Sequence, residues 1–150
     1  MVLNASFLEF LAAFFVKDAA TWINMQEAYI QEKNAVGDWV KIGYSAPGTK
    51  GDNNYSYASK VIVYGSEQDA ATWTATPAEG VTLNDCANGE SWKLKAGLDN
   101  TSNLAIEDDD SNDDCTVLTA SWDNLTHGTI ATAGGNQQQG GNQQQGGNGD

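Results

Sequence analysis

The densest run of chemically capable side chains in this sequence is Glu107-Asp108-Asp109-Asp110-Ser111-Asn112-Asp113-Asp114. Clustered carboxylate and amide oxygens are what a hard cation such as calcium takes as ligands. Asp108, Asp110, Asn112 and Asp114 alternate along the run and are the candidate calcium ligands. The EF-hand pattern fails, because its sixth position falls on Asp113 instead of glycine and its twelfth on Thr119 instead of glutamate. A solvated acidic loop is the competing reading.

Soft ligands are scarce. Cys86, Cys115 and the single histidine, His127, are too few for a structural zinc site. Two widely spaced cysteines in a Thr/Asn/Gly-rich chain suggest one disulfide and an oxidising compartment; two free buried cysteines are the alternative. A closed loop of that length would stabilise the fold by roughly 3–4 kcal/mol on chain-entropy grounds. No nucleophile elbow, Walker loop or dinucleotide glycine motif occurs. The carboxylates gather in one hydrophilic run, where a raised pKa is hard to sustain. The expectation is therefore a protein that is not an enzyme, with calcium as the one cofactor to consider. The five tryptophans suit core packing, or else a carbohydrate-stacking surface.

Charge narrows the partners. Seven Lys against 20 Asp plus Glu give a net charge of −13 over 150 residues, which repels nucleic acid and anionic membrane surfaces. The longest apolar run, Phe10 to Val16, is too short to span a bilayer. No signal peptide is evident, so an exported protein would have lost its targeting segment. Sequons at Asn4, Asn54, Asn100 and Asn124 permit glycosylation without arguing for it.

These residues need elements to hold them. The spacing of Leu3, Phe7, Leu11, Phe14 and Phe15, resumed by Trp22, Ile23, Met25, Tyr29 and Ile30, predicts a helix over about 3–36, with Gly37 as its stop. Lys17-Asp18 offers a break, with Asp18 able to cap a second helix. Phe7, Phe10, Leu11 and Phe14, with Trp22, form an apolar face wide enough to pack on neighbouring subunits as well as on its own sheet. Residues 37–59 read as an irregular connection pinned by Trp39, Ile42 and Tyr44. Strands are expected within 60–125, at Lys60–Tyr64, Ala71–Thr76, Val81–Leu83, Ser91–Lys95 and Thr116–Trp122. The class is α+β: one long helix packed on an antiparallel sheet of about four strands, filling residues 1–130 as one domain. Residues 131–150 repeat GGNQQQ and read as a low-complexity tail.

The segment Ile23–Gly48, INMQEAYIQEKNAVGDWVKIGYSAPG, resembles the end of the long helix and the start of the following loop in bacterial type IV pilins. The stretch Trp73–Cys86, WTATPAEGVTLNDC, resembles a pilin strand region running into the first cysteine. Cys86 and Cys115 fall where many pilins close their C-terminal disulfide loop. The resemblance covers roughly residues 5–125. It implies a structural subunit of an extracellular filament on the cell surface, self-assembling through the helix with sheet and disulfide loop outward. The prepilin peptidase site and the glutamate-bearing hydrophobic segment of that family are absent. The resemblance is therefore to a truncated soluble head, or to a head that pairs with a short hydrophobic-helix partner; membrane contact would come only through such a segment or partner. Two alternatives stand beside it: a type II secretion pseudopilin whose acidic loop binds calcium, and a secreted carbohydrate- or surface-binding module.

Overall fold

A computed structural model describes residues 5–47, 55–62, 69–81, 83 and 85–131, with side chains from Val16 onward save that of Ile62. The first helix, α1, runs Ala5–Lys33 without interruption. Its described inner face is Ala19, Trp22, Ile23, Gln26 and Ile30, all buried and separated by the steps of three and four that align side chains on one side of a helix. Asp18 caps nothing; it lies inside α1 and accepts a hydrogen bond from the Tyr44 hydroxyl.

The stop comes earlier than Gly37. Asn34 adopts φ +52° and returns its N–H to the Ile30 carbonyl at 2.7 Å, a left-handed end that asparagine tolerates. Gly37 serves another purpose. The Gln26 side chain, fully buried, donates to the Gly37 carbonyl at 2.7 Å and accepts from its N–H at 3.1 Å. A Cβ at Gly37 would lie 2.9 Å from Ile42 Cγ2, so only glycine lets the chain pass this close.

The expected connection 37–59 is partly structured. A short helix, α2, Trp39–Ile42, is capped by Asp38, whose carboxylate accepts from the Lys41 N–H at 2.8 Å. Strand β1 then spans Tyr55–Ile62, beginning before the predicted Lys60. Tyr55 and Tyr57 explain the extension: their rings pack inward, 6.0 Å from Trp92 and 5.7 Å from Trp73 between centroids.

Strands β2 (Ala70–Pro77), β3 (Trp92–Leu98) and β4 (Leu104–Asp108) complete an antiparallel sheet in the order β1-β2-β3-β4. Its inner face carries Trp73, Ala75, Trp92, Leu94, Ala96, Leu98 and Ile106, which share one core with the buried residues of α1. Thr82 lies outside the described residues; of the predicted Val81–Leu83, the described Val81 and Leu83 belong to no strand, and Leu83 makes an isolated bridge to Cys86. Thr116–Trp122 is not a strand either. Helix α3 (Asp113–Thr116) and a 3₁₀ turn at Trp122–Leu125 occupy that region. Their amides bond back to carbonyls three and four residues earlier, as Val117 N–H does to the Asp113 oxygen, so β-propensity there gives way to local turn bonding.

The outer face of the sheet is crossed at one end by residues 127–131. His127 exchanges backbone hydrogen bonds with Ile106 beyond the β4 edge, and the Ala131 N–H reaches the Leu98 carbonyl in β3. Ile130 passes over Gly97, where a Cβ would sit 2.6 Å from Ile130 Cγ2. Residues 1–4 and the expected tail from 132 lie outside the described residues.

Candidate functional site

Cys86 and Cys115 form a disulfide, with Cα atoms 4.5 Å apart and both residues fully buried. The bond joins the segment before β3 to α3, so it anchors the acidic run from its C-terminal side. Glu90 lies beside the pair and forms with it the one grouping of three metal-capable side chains among the described residues. Its carboxylate accepts from the Ala87 N–H at 2.8 Å. Sulfurs bonded to each other are not thiolate ligands, so in this state the grouping offers a metal only one carboxylate.

The acidic run is built into the sheet. Glu107 and Asp108 are the last residues of β4. Beyond them, side chains continue the ladder that backbone groups began. Lys93 N–H donates to Ser111 Oγ at 2.7 Å, and Asp109 N–H donates to the Lys93 carbonyl at 3.0 Å. Ser91 N–H donates to Asn112 Oδ1 at 2.9 Å, while Asn112 N–H returns to the Ser91 carbonyl at 3.0 Å. Asp108 accepts from the Ser111 N–H at 2.9 Å and from the Trp122 indole N–H at 2.9 Å. Serine and asparagine in such runs commonly replace backbone partners in this way.

Of the four candidate calcium ligands, Asp108 and Asn112 therefore spend oxygens on internal donors. Asp110 and Asp114 are exposed, and among the described residues the oxygens of Asp108, Asp110 and Asp114 do not converge within 4.8 Å. His127 contributes its backbone to the β4 bridge. Its exposed side chain lines a cleft of about 480 Å³ with Glu27, Gln31, Asn34 and Asn103.

The tryptophans are mostly interior. Trp22, Trp73, Trp92 and Trp122 are buried and Trp39 is half-buried, so they offer no exposed row of indoles to a sugar. Two of their N–H groups tie elements together here: Trp92 to Thr119 Oγ1 at 2.9 Å and Trp73 to Tyr44 Oη at 3.0 Å. The Tyr44 hydroxyl passes its proton bond on to Asp18. Burial raises the Asp18 pKa, with the Tyr44 hydrogen bond working the other way. Burial and then Asp18 itself push Tyr44 far above an ordinary phenol.

Trp22 belongs to the domain's own core and has no exposed surface, so it is not available to a neighbouring subunit. The side chains of Phe7, Phe10, Leu11 and Phe14 lie outside those described.

One feature of the surface was missed in the sequence. Residues directly opposite in antiparallel strands share a face. The register Lys60↔Thr72↔Lys95 and the neighbouring Thr74↔Lys93 place three of the chain's seven lysines on the outer face of one sheet. Lys95 lies 3.7 Å from Glu107 and 3.7 Å from Asp109. Among the described residues, Lys60 and Lys93 have no acidic partner. The alternation in Trp92-Lys93-Leu94-Lys95 was the available signal, hidden while charge was counted over the whole chain.

No helix among the described residues is long and apolar enough to cross a membrane. The chain matches no known family model, no curated protein and no solved structure.

Proposed function

We propose that this chain is the head of an extracellular filament subunit, assembling through the N-terminal half of α1 and presenting its sheet and disulfide loop at the filament surface. The observation that carries the reading is the length of α1 against the domain it serves. Its 29 residues make a rod of about 43 Å at 1.5 Å per residue. Strands of at most eight residues span about 26 Å. Ala19 is the first fully buried residue among the described helix side chains. The sequence before it supplies Phe7, Leu8, Phe10, Leu11, Phe14 and Phe15, more large apolar side chains than a solvent-facing helix carries.

The element order supports the same role: a leading helix, a four-stranded antiparallel meander, and a disulfide that fixes the last loop. The function is mechanical. A buried cross-link and an indole-anchored loop suit a subunit that must keep its shape outside the cell.

The test is substitution in producing cells. Phe7→Asp with Phe14→Asp abolishes surface filaments under the electron microscope, while the purified variant keeps its disulfide and melting temperature. Filaments at wild-type abundance in that variant would refute the role given to this helix.

A further inference from the structure

A subunit of net charge −13 repels its own copies. Self-association then requires some patch of opposite sign to meet the acidic surface. The outer face of the sheet is that patch. Lys60, Lys93 and Lys95 project from it, against Glu107 and Asp109, both engaged by Lys95. The remaining cations, Lys60 and Lys93, stand beside Thr72 and Thr74 on the outer face.

The complementary feature is on the same molecule. Asp110, Asp113 and Asp114 are exposed, and no ion pair engages them among the described residues. Their backbone is held by the Ser111 and Asn112 ladder, the Asp108–Trp122 bond and the disulfide at Cys115. A carboxylate cluster on a fixed scaffold loses little entropy on pairing, which is what makes a surface charge contact worth more than an isolated ion pair.

We infer that the sheet's Lys60/Lys93 face docks the Asp110/Asp113/Asp114 cluster of a second copy. The contact rests on the filament reading, which it deepens by naming the faces that meet. Ser111 and Asp109 bond the Lys93 backbone, so the two sets adjoin on each copy and pair reciprocally across the contact. It is electrostatic and weakens as salt screens it, with a Debye length of about 3 Å at 1 M.

The experiment is zero-length carbodiimide cross-linking of the purified full chain at low ionic strength. Equal amounts of unlabelled and ¹⁵N-labelled protein are mixed, so that bonds between copies carry both isotopes. The expected result is mixed-isotope Lys60 or Lys93 linked to Asp110, Asp113 or Asp114. Lys60→Glu with Lys93→Glu lowers that yield at least tenfold. Adding Asp113→Lys and Asp114→Lys to the same chain restores it. Links confined to single copies, or loss without restoration in variants that melt like wild type, would each overturn the inference. Wild-type cross-links in a protein absent from surface filaments would instead remove the filament reading and leave the contact standing.

Discussion

The indole N–H of Trp122 donates to Oδ1 of Asp108 across 2.9 Å, joining the first aspartate of the acidic run to a tryptophan in the core. Trp122 is 2 % exposed, so its donor has no water to turn to. A run that looks like solvated charge is thus fastened at one end by an indole and at the other by a disulfide.

That bond separates structural from solvated aspartates. Asp108→Ala removes the acceptor of the Trp122 indole and of the Ser111 amide, and costs about 2 kcal/mol. Asp110→Asn removes the charge, keeps a side chain that tolerates the left-handed φ of +63°, and stays within about 0.5 kcal/mol of wild type. Urea unfolding of the two variants checks the contrast. Equal losses would mean that the run acts as one ligand set.

The Gln26–Gly37 pair predicts an unusually sensitive polar position on a helix face. Gln26→Leu keeps the volume but leaves the Gly37 N–H and carbonyl unpaired in the core, at a cost of about 3 kcal/mol. Gly37→Ala forces a methyl against Ile42 and Tyr29, costing about 2 kcal/mol. Chemical denaturation measures both, and an Ala variant as stable as wild type would show that the loop relaxes freely.

The disulfide bridges a sequence separation of 29. Replacing both cysteines by alanine removes about 3–4 kcal/mol without exposing a polar group, since neither sulfur donates to the core. Melting with and without reductant should place reduced wild type near the double variant. A reduced protein that melts like the oxidised one would contradict this.

Half-buried Asp18 and buried Tyr55 each contribute to the pH dependence. Burial raises Asp18 above the ordinary 3.8, so folding favours its protonated form. Its contribution is fully present below 3.8 and is lost as pH rises through the raised folded value. Asp18→Asn keeps an acceptor for Tyr44 and cannot ionise. It should melt at or above wild type at neutral pH, with the gap closing in acid. Burial also raises Tyr55 from 10.0 to about 12, so its contribution holds below 10 and is lost as pH climbs through about 12. Phenolate absorbance should therefore rise together with unfolding. Early, independent ionisation of Tyr55 would contradict its burial.

Periodicity made much of this molecule legible. Trp22, Ile23 and Ile30 announce the buried face of α1, and the alternation around Trp73 and Trp92 gives the central strands. The Cys86–Cys115 bond follows from composition and count. What stayed hidden depends on partners distant in sequence. Gln26 reads as a solvent residue until Gly37 is beside it. Asp108 and Asn112 read as cation ligands until Trp122 and Ser91 take their oxygens. The Lys60, Lys93 and Lys95 face needs strand register, which no single strand reveals. The end of α1 turned on whether Asn34 or Gly37 takes the left-handed position, a choice that composition alone leaves to glycine.

The most direct test of the filament account is to shear surface filaments from producing cells and examine them by immunoelectron microscopy and intact-mass analysis. The account predicts that antibody to this chain decorates filaments along their length and that its disulfide-bonded polypeptide is a major component. Labelling confined to soluble secreted protein, with filaments free of the chain, would contradict it.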